Sequence, residues 1–103
     1  MDAVLLVSFG GPEGPDDVRP FLENVTRGRG IPADRLDAVA AHYLALGGVS
    51  PLNAANRHLR AALERELRAR GRPLRVYWGN RHWHPLLPDA ITQMQRDGVT
   101  GAV

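Results

Sequence analysis

Residues 3–9 read AVLLVSF, an apolar run without a charge, and GGPEGP follows at once over residues 10–15. No other feature restricts the fold as much. An uninterrupted apolar run fits a strand buried on both faces, as in a parallel sheet, better than the alternating strand of a half-solvated antiparallel one. The glycines and prolines behind it cannot continue a strand, so the chain turns away at the strand's carboxyl end. A parallel neighbour then needs a crossover connection, which helices usually supply.

The remaining pattern supplies those helices. A short one is expected near residues 16–25, with Asp16 and Asp17 suited to its N-terminal end, followed by the basic turn TRGRG at 26–30. A second starts at about Pro32, carries Leu36, Val39, Tyr43 and Leu46 at helical spacing, and stops at Gly47 and Gly48. Ser50 and Pro51 then read as the N-cap and first residue of a third helix. Its apolar stripe, Leu52, Ala55, Leu59, Leu63 and Leu67, runs to about Arg70. A second strand over 74–78, a loop over 79–85, a helix over 87–96 and the start of a third strand at 99–103 complete the chain. This order predicts an α/β fold with a parallel sheet. Two or three strands covered on one side make a poor independent domain, so a fragment of a longer protein is expected.

Composition enters mainly through what it excludes. The absence of cysteine rules out a disulfide framework, a cysteine zinc site and a thiolate nucleophile within these residues. All 13 basic residues are arginine, against 11 acids, and the halves differ: −3 over residues 1–50 and +5 over 51–103. Seven arginines fall between Arg57 and Arg75, but no aromatic accompanies them before Tyr77, and Glu64 and Glu66 interrupt them. A solvated helix face is expected there, and no nucleic-acid partner. Residues 38–56 carry no charge, yet they hold His42, Gly47, Gly48, Pro51 and two asparagines, so no transmembrane segment is expected. The N-terminal residues lack the basic stretch and long apolar region of a secretory signal, which points to the cytoplasm.

Ligands of an open α/β sheet sit beyond the carboxyl ends of its strands, which directs attention to loops 9–14 and 79–85. The Gly10, Gly11, Gly14 spacing departs from the dinucleotide fingerprint, no Walker lysine exists, and Pro12 and Pro15 remove two amide donors. Gly47, Gly48, Val49, Ser50 and Pro51 offer free helix amides and a hydroxyl, suited either to a carboxylate or phosphate or to plain capping. Arg27 and Arg29 flank Gly28 and could grip a carboxylate as a fork, or serve as solvated surface charges. His82 and His84 could face one ion across Trp83, but a site needs a third ligand; Trp83 itself suits packing or a flat wall for a ligand.

Four segments connect these motifs: LLVSFGGP over 5–12, VTRGR over 25–29, HYLALGGVSPL over 42–52 and YWGNRHWHP over 77–85. In that order and spacing they resemble the N-terminal part of a ferrochelatase, of the coproporphyrin type found in high-GC, actinobacterial-like bacteria. The resemblance covers essentially the whole chain. It implies a Rossmann-like, chelatase-like lobe, with residues 1–103 as the N-terminal part of the first of two lobes that close on a porphyrin cleft. It implies heme biosynthesis, with ferrous iron inserted into coproporphyrin III in preference to protoporphyrin IX as two pyrrole protons leave. Iron is then a substrate, and no resident cofactor is implied in this chain.

Carried over by position, Ser50 matches a serine that holds a porphyrin propionate, and Thr26 and Arg27 fall in the segment lining the macrocycle and its propionates. His42 and Tyr43 match a pair near another propionate. His42 stands where an arginine is common, and a neutral imidazole partners a carboxylate less well. Phe9 stands where many bacterial members carry a metal-ligating tyrosine; without a donor it can only pack against the ring. The family's metal-handling histidine and glutamate lie in the other lobe, so the resemblance implies no catalytic residue and no metal ligand here, and a chain inactive by itself. The cluster cysteines of some actinobacterial members also lie further along. The rival expectation is a non-catalytic module that binds porphyrin or a partner.

Overall fold

The computed structural model describes residues 2–103. Strand β1 spans Ala3–Ser8 and β2 spans Arg75–Asn80; they pair in parallel, from Ala3 opposite Arg75 to Ser8 opposite Asn80. Between them run α1 (Pro15–Thr26), α2 (Ala33–Ala45) and α3 (Leu52–Ala69), and α4 (Leu87–Arg96) follows β2. The fold is therefore α/β with a parallel sheet, as the apolar run requires. Strand β2 reaches two residues beyond the expected 74–78 because Gly79 and Asn80 go on pairing with Val7 and Ser8.

Segment 99–103 is not a strand. It meets the free edge of β1 through one bridge, Ala3 to Ala102, with Val103 N–H donating to Ala3 O and Leu5 N–H to Val103 O. The Asp2 carboxylate holds it there, accepting from the Thr100 and Gly101 amides at 3.1 and 3.0 Å. Those backbone donors, Thr100 foremost, hold the Asp2 carboxyl below its usual range.

Strand β1 is less buried than its sequence predicts. Ala3 is fully buried, but residues 4–6 are half-buried and Val7 is 49% exposed. The helices account for this: α3 and α4 pack on β2, while α1 packs with α2. The apolar interior accordingly falls into two clusters. Val18, Phe21, Leu22 and Ala40 join α1 to α2; Ala3, Tyr77 and Met94 join the sheet to α4.

The stripe expected on α3 also needs correction. Its buried residues are Asn53 and Asn56, while Leu59 is 44% exposed and Leu63 and Leu67 are half-buried. The start of α3 lies against the turns that leave the strands, where bare carbonyls need donors more than apolar cover. Asn53 meets that need, donating to Gly11 O and His84 O at 3.3 and 3.0 Å. Among the described residues no helix is long and apolar enough to cross a membrane.

Candidate functional site

Pairing between the strands persists past their ends. The Arg81 amide donates to Ser8 O at 2.9 Å and the His82 amide to Phe9 O at 3.0 Å, so both turns leave the sheet in register. Phe9 and His82 thus lie side by side, ring centroids 4.4 Å apart, with Phe9 41% exposed. Behind them the buried ring of Phe21 meets Phe9, Tyr43 and Trp83 edge to face at 6.2, 6.2 and 6.3 Å. Trp83 is fixed further by its indole N–H, which donates to Asp17 Oδ2 at 3.2 Å. This is a wall of rings in edge-to-face and tilted contact at the carboxyl end of a parallel sheet, where ligands of open α/β folds sit.

Beside the wall an open cavity of about 290 Å³ lies between the end of α1 and the start of α4. Asn24, Arg27, Arg81, His82, Leu86 and Pro88 line it. Asn24 frames it by donating to His82 O at 3.4 Å and by accepting from the Arg27 guanidinium at 3.0 Å. Burial holds the His82 imidazole below its ordinary range, and the positive charges of Arg81 and Arg29 add to the effect. His82 is consequently neutral at neutral pH, and the guanidiniums of Arg27 and Arg81 carry the cavity's charge. Two forked donors beside an aromatic wall suit a flat apolar body with carboxylates on its rim.

Ser50 is not among the residues that line the cavity; it stands in the turn before α3. Ser50 Oγ accepts the Leu52 amide at 3.3 Å, but the cap position is held by Pro51 (φ −72°, ψ −6°), whose carbonyl accepts the first helical bond, so α3 starts at Leu52, one residue later than the sequence predicts. The Ser50 amide donates to Pro12 O at 2.8 Å. Gly11 presses so closely on this residue that a Cβ there would stand 2.7 Å from both Ser50 Cβ and Oγ. Its neighbour Gly10, at φ +89°, touches the other loop: a Cβ would meet Trp83 N at 2.9 Å and Asn80 Cβ at 3.0 Å. The glycine turn is therefore the physical link between Ser50 and residues 80–83.

Of the residues singled out in the sequence, Arg27 lines the cavity and Phe9 meets its His82 wall at a tilt of 54°. Tyr43 supports that wall through Phe21. Thr26 turns back into its helix, its hydroxyl donating to Leu22 O at 2.7 Å, and His42 is exposed on the last turn of α2. Sequence reasoning missed Asn24, Arg81 and the asparagines beneath them. Arg81 had a signal in its place directly after a strand; Asn24 had none. The two histidines of the HWH triplet face different rings, His82 on Phe9 and His84 on Trp83. Among the described residues no three His, Cys, Asp or Glu side chains could hold a metal ion together.

The chain is thus an α/β fold with a parallel sheet that gathers cationic and aromatic groups at the sheet's carboxyl end. Comparison with known proteins narrows the class. The ferrochelatase family model matches residues 1–103, and the chain belongs to that family. It is 62% identical over 103 residues to the coproporphyrin III ferrochelatase of Nocardia farcinica, covering 100% of this chain and 29% of the relative. The corresponding enzyme of Mycobacteroides abscessus is 59% identical over 101 residues, covering 98% of this chain and 30% of the relative. That of Mycobacterium tuberculosis is 63% identical over 101 residues, covering 98% and 28%. The chain thus spans somewhat under a third of the length of these relatives.

Proposed function

We propose that this chain is the N-terminal part of the first lobe of a coproporphyrin III ferrochelatase, and that it provides one side of the porphyrin site. The observation that carries the proposal is the pair of guanidiniums, Arg27 and Arg81, in a cavity adjoining the exposed ring of Phe9. A porphyrin is a planar aromatic acid: its face needs apolar contact and its propionates need cationic or amide donors. Phe9, with His82 held neutral beside it, supplies the first, and the arginines supply the second. Ser50 and the amides at the start of α3 provide another carboxylate anchor, and Thr26 and Tyr43 belong to the surrounding wall. His42, exposed on α2, is assigned a weaker outer contact. The relatives' names favour coproporphyrin III, with its four propionates, over protoporphyrin IX, with two.

In the reaction ferrous iron enters the macrocycle as two pyrrole N–H bonds break and two protons leave. These residues bind and orient the ring for that exchange. No metal-binding or proton-abstracting role is assigned to them, and the compartment assigned is the cytoplasm. Titrating the protein with coproporphyrin III and following the Soret band tests the proposal. Saturable binding is expected, weakened about tenfold by Arg81→Ala, the loss of one charge-assisted contact. An Arg81→Ala curve that superimposes on the wild type, or no saturable shift at all, would refute it. The purified chain is expected to insert neither iron nor zinc; measurable insertion would reassign the catalytic groups to these residues.

A further inference from the structure

Beneath the proposed site lies a closed circuit of polar side chains. The Trp78 indole N–H donates to Asn80 Oδ1 at 2.9 Å, and Asn80 Nδ2 donates to Asn53 Oδ1 at 3.1 Å. Asn53 Nδ2 donates to Glu13 Oε2 at 3.1 Å, Glu13 accepts the Arg57 guanidinium, and Arg57 returns over the Trp78 ring at 5.6 Å. Asn53 and Asn80 are both fully buried. The same two amides also grip the turns above them: Asn53 donates to Gly11 O and His84 O, and Asn80 to His84 O at 3.3 Å. Neither asparagine lines the cavity.

The five members of the circuit come from three parts of the chain. Glu13 belongs to the turn after β1, Asn53 and Arg57 to the start of α3, and Trp78 and Asn80 to β2. Ser50 stands two residues before α3, which carries Asn53, and Arg81 directly follows Asn80, so the circuit ties together the two chain segments that carry the proposed carboxylate anchors. The buried part of the circuit, Asn53 and Asn80, is fully paired and so specifies one geometry, because any displacement leaves an amide or carbonyl unsatisfied.

We infer that Asn53 and Asn80 are positioning residues whose circuit fixes the span between Ser50 and the Arg27–Arg81 cavity, and so selects porphyrins by the number and spacing of their carboxylates. The inference rests on the porphyrin-site proposal above. A ligand held at both anchors depends on their separation, whereas a ligand held at one does not. Loss of the circuit therefore weakens a four-propionate porphyrin more than a two-propionate one, and uncouples the anchors from each other.

The test compares coproporphyrin III with mesoporphyrin IX, a two-propionate porphyrin, by Soret titration of wild type and Asn53→Asp. The substitution keeps the side chain's shape, removes both amide donors and sets a carboxylate against Glu13. Coproporphyrin affinity is expected to fall about tenfold and mesoporphyrin affinity less than threefold. In the wild type, Ser50→Ala and Arg81→Ala are expected to act non-additively on coproporphyrin binding; in Asn53→Asp they become additive. If circular dichroism finds Asn53→Asp unfolded, Glu13→Gln at the exposed rim decides, with at least a threefold narrowing of the preference expected. A folded variant with the wild-type preference and coupling overturns the positioning role while leaving the porphyrin site standing. A wild type that binds neither porphyrin overturns both.

Discussion

Replacing Gly11 with alanine isolates the contact between the glycine turn and Ser50. Gly11 does not occupy the left-handed region, so the substitution acts through its methyl group alone. That methyl would stand 2.7 Å from Ser50 Cβ and Oγ, where contacts under 3.4 Å are already tight. Relief requires Ser50 to retreat by about 0.7 Å, on the scale at which packing contacts are lost outright. The bond from the Leu52 amide, already 3.3 Å long, would not survive the move. Overpacking costs about 1–3 kcal/mol, and loss of the Leu52–Ser50 hydrogen bond costs about 1 kcal/mol more. The expected total of about 2–4 kcal/mol lowers Tm by at least roughly 8 °C for a domain of this size. Thermal unfolding followed by circular dichroism measures it. Ser50→Gly removes both clashing atoms, so in that background Gly11→Ala should be nearly neutral. Equal penalties in the two backgrounds, or an unchanged melt, would refute the steric argument.

Three other outcomes follow from the same geometry. Phe21→Ala should cost about 3–5 kcal/mol in urea unfolding, and Phe21→Leu, which keeps most of the apolar volume but loses the edge-to-face contacts with Phe9, Tyr43 and Trp83, about 1–2 kcal/mol; a Phe21→Leu variant as stable as the wild type would deny the ring contacts their role. Arg81→Ala should raise the His82 pKa, as read by NMR titration, but only part of the way to its ordinary value, because burial is the larger cause; an unmoved pKa would remove Arg81 from its surroundings. Stability should fall with acidification in two stages. His82 is held low by burial, Glu13 by the Arg57 hydrogen bond, Asp2 by the Thr100 amide and Asp97 by the Tyr77 hydroxyl, so each binds its proton less readily folded than unfolded. The first loss begins below about pH 6.5 and the second below about pH 4; melts that improve on acidification over either window would contradict this.

The sequence expressed the sheet better than the site. The run at 3–9 and the glycines behind it defined β1 and its exit, and helical periodicity located α1 to α4 within a few residues, because those signals are local. Burial of β1 was not local: it depended on where the helices settled, and α3 and α4 settled on β2. On α3 the leucines misled for a related reason. A stripe records which face is apolar, whereas the helix start meets turns with unsatisfied carbonyls, and Asn53 is chosen for its donors. Arg27 and Ser50 drew attention through short continuous motifs and Phe9 through the family resemblance, and of these Arg27 lines the cavity. Arg81 becomes part of a cavity only through residues more than 50 positions away, Asn24 and Arg27, and no spacing rule reaches that far.

The hydrogen bonds that carry the strand ladder beyond Ser8 and Asn80, onto Phe9, Arg81 and His82, have a thermodynamic consequence. Loops that must be ordered by their ligand forfeit chain entropy when it arrives, about 1–2 kcal/mol for each backbone residue fixed. Here the ladder and the Ser50–Pro12 bond have already immobilised the residues that would meet the ring. A rigid planar acid would encounter a rigid receiving edge, with little conformational freedom lost on either side. Calorimetry of association should then record a heat-capacity decrease from buried apolar surface, without the large unfavourable entropy that marks coupled folding.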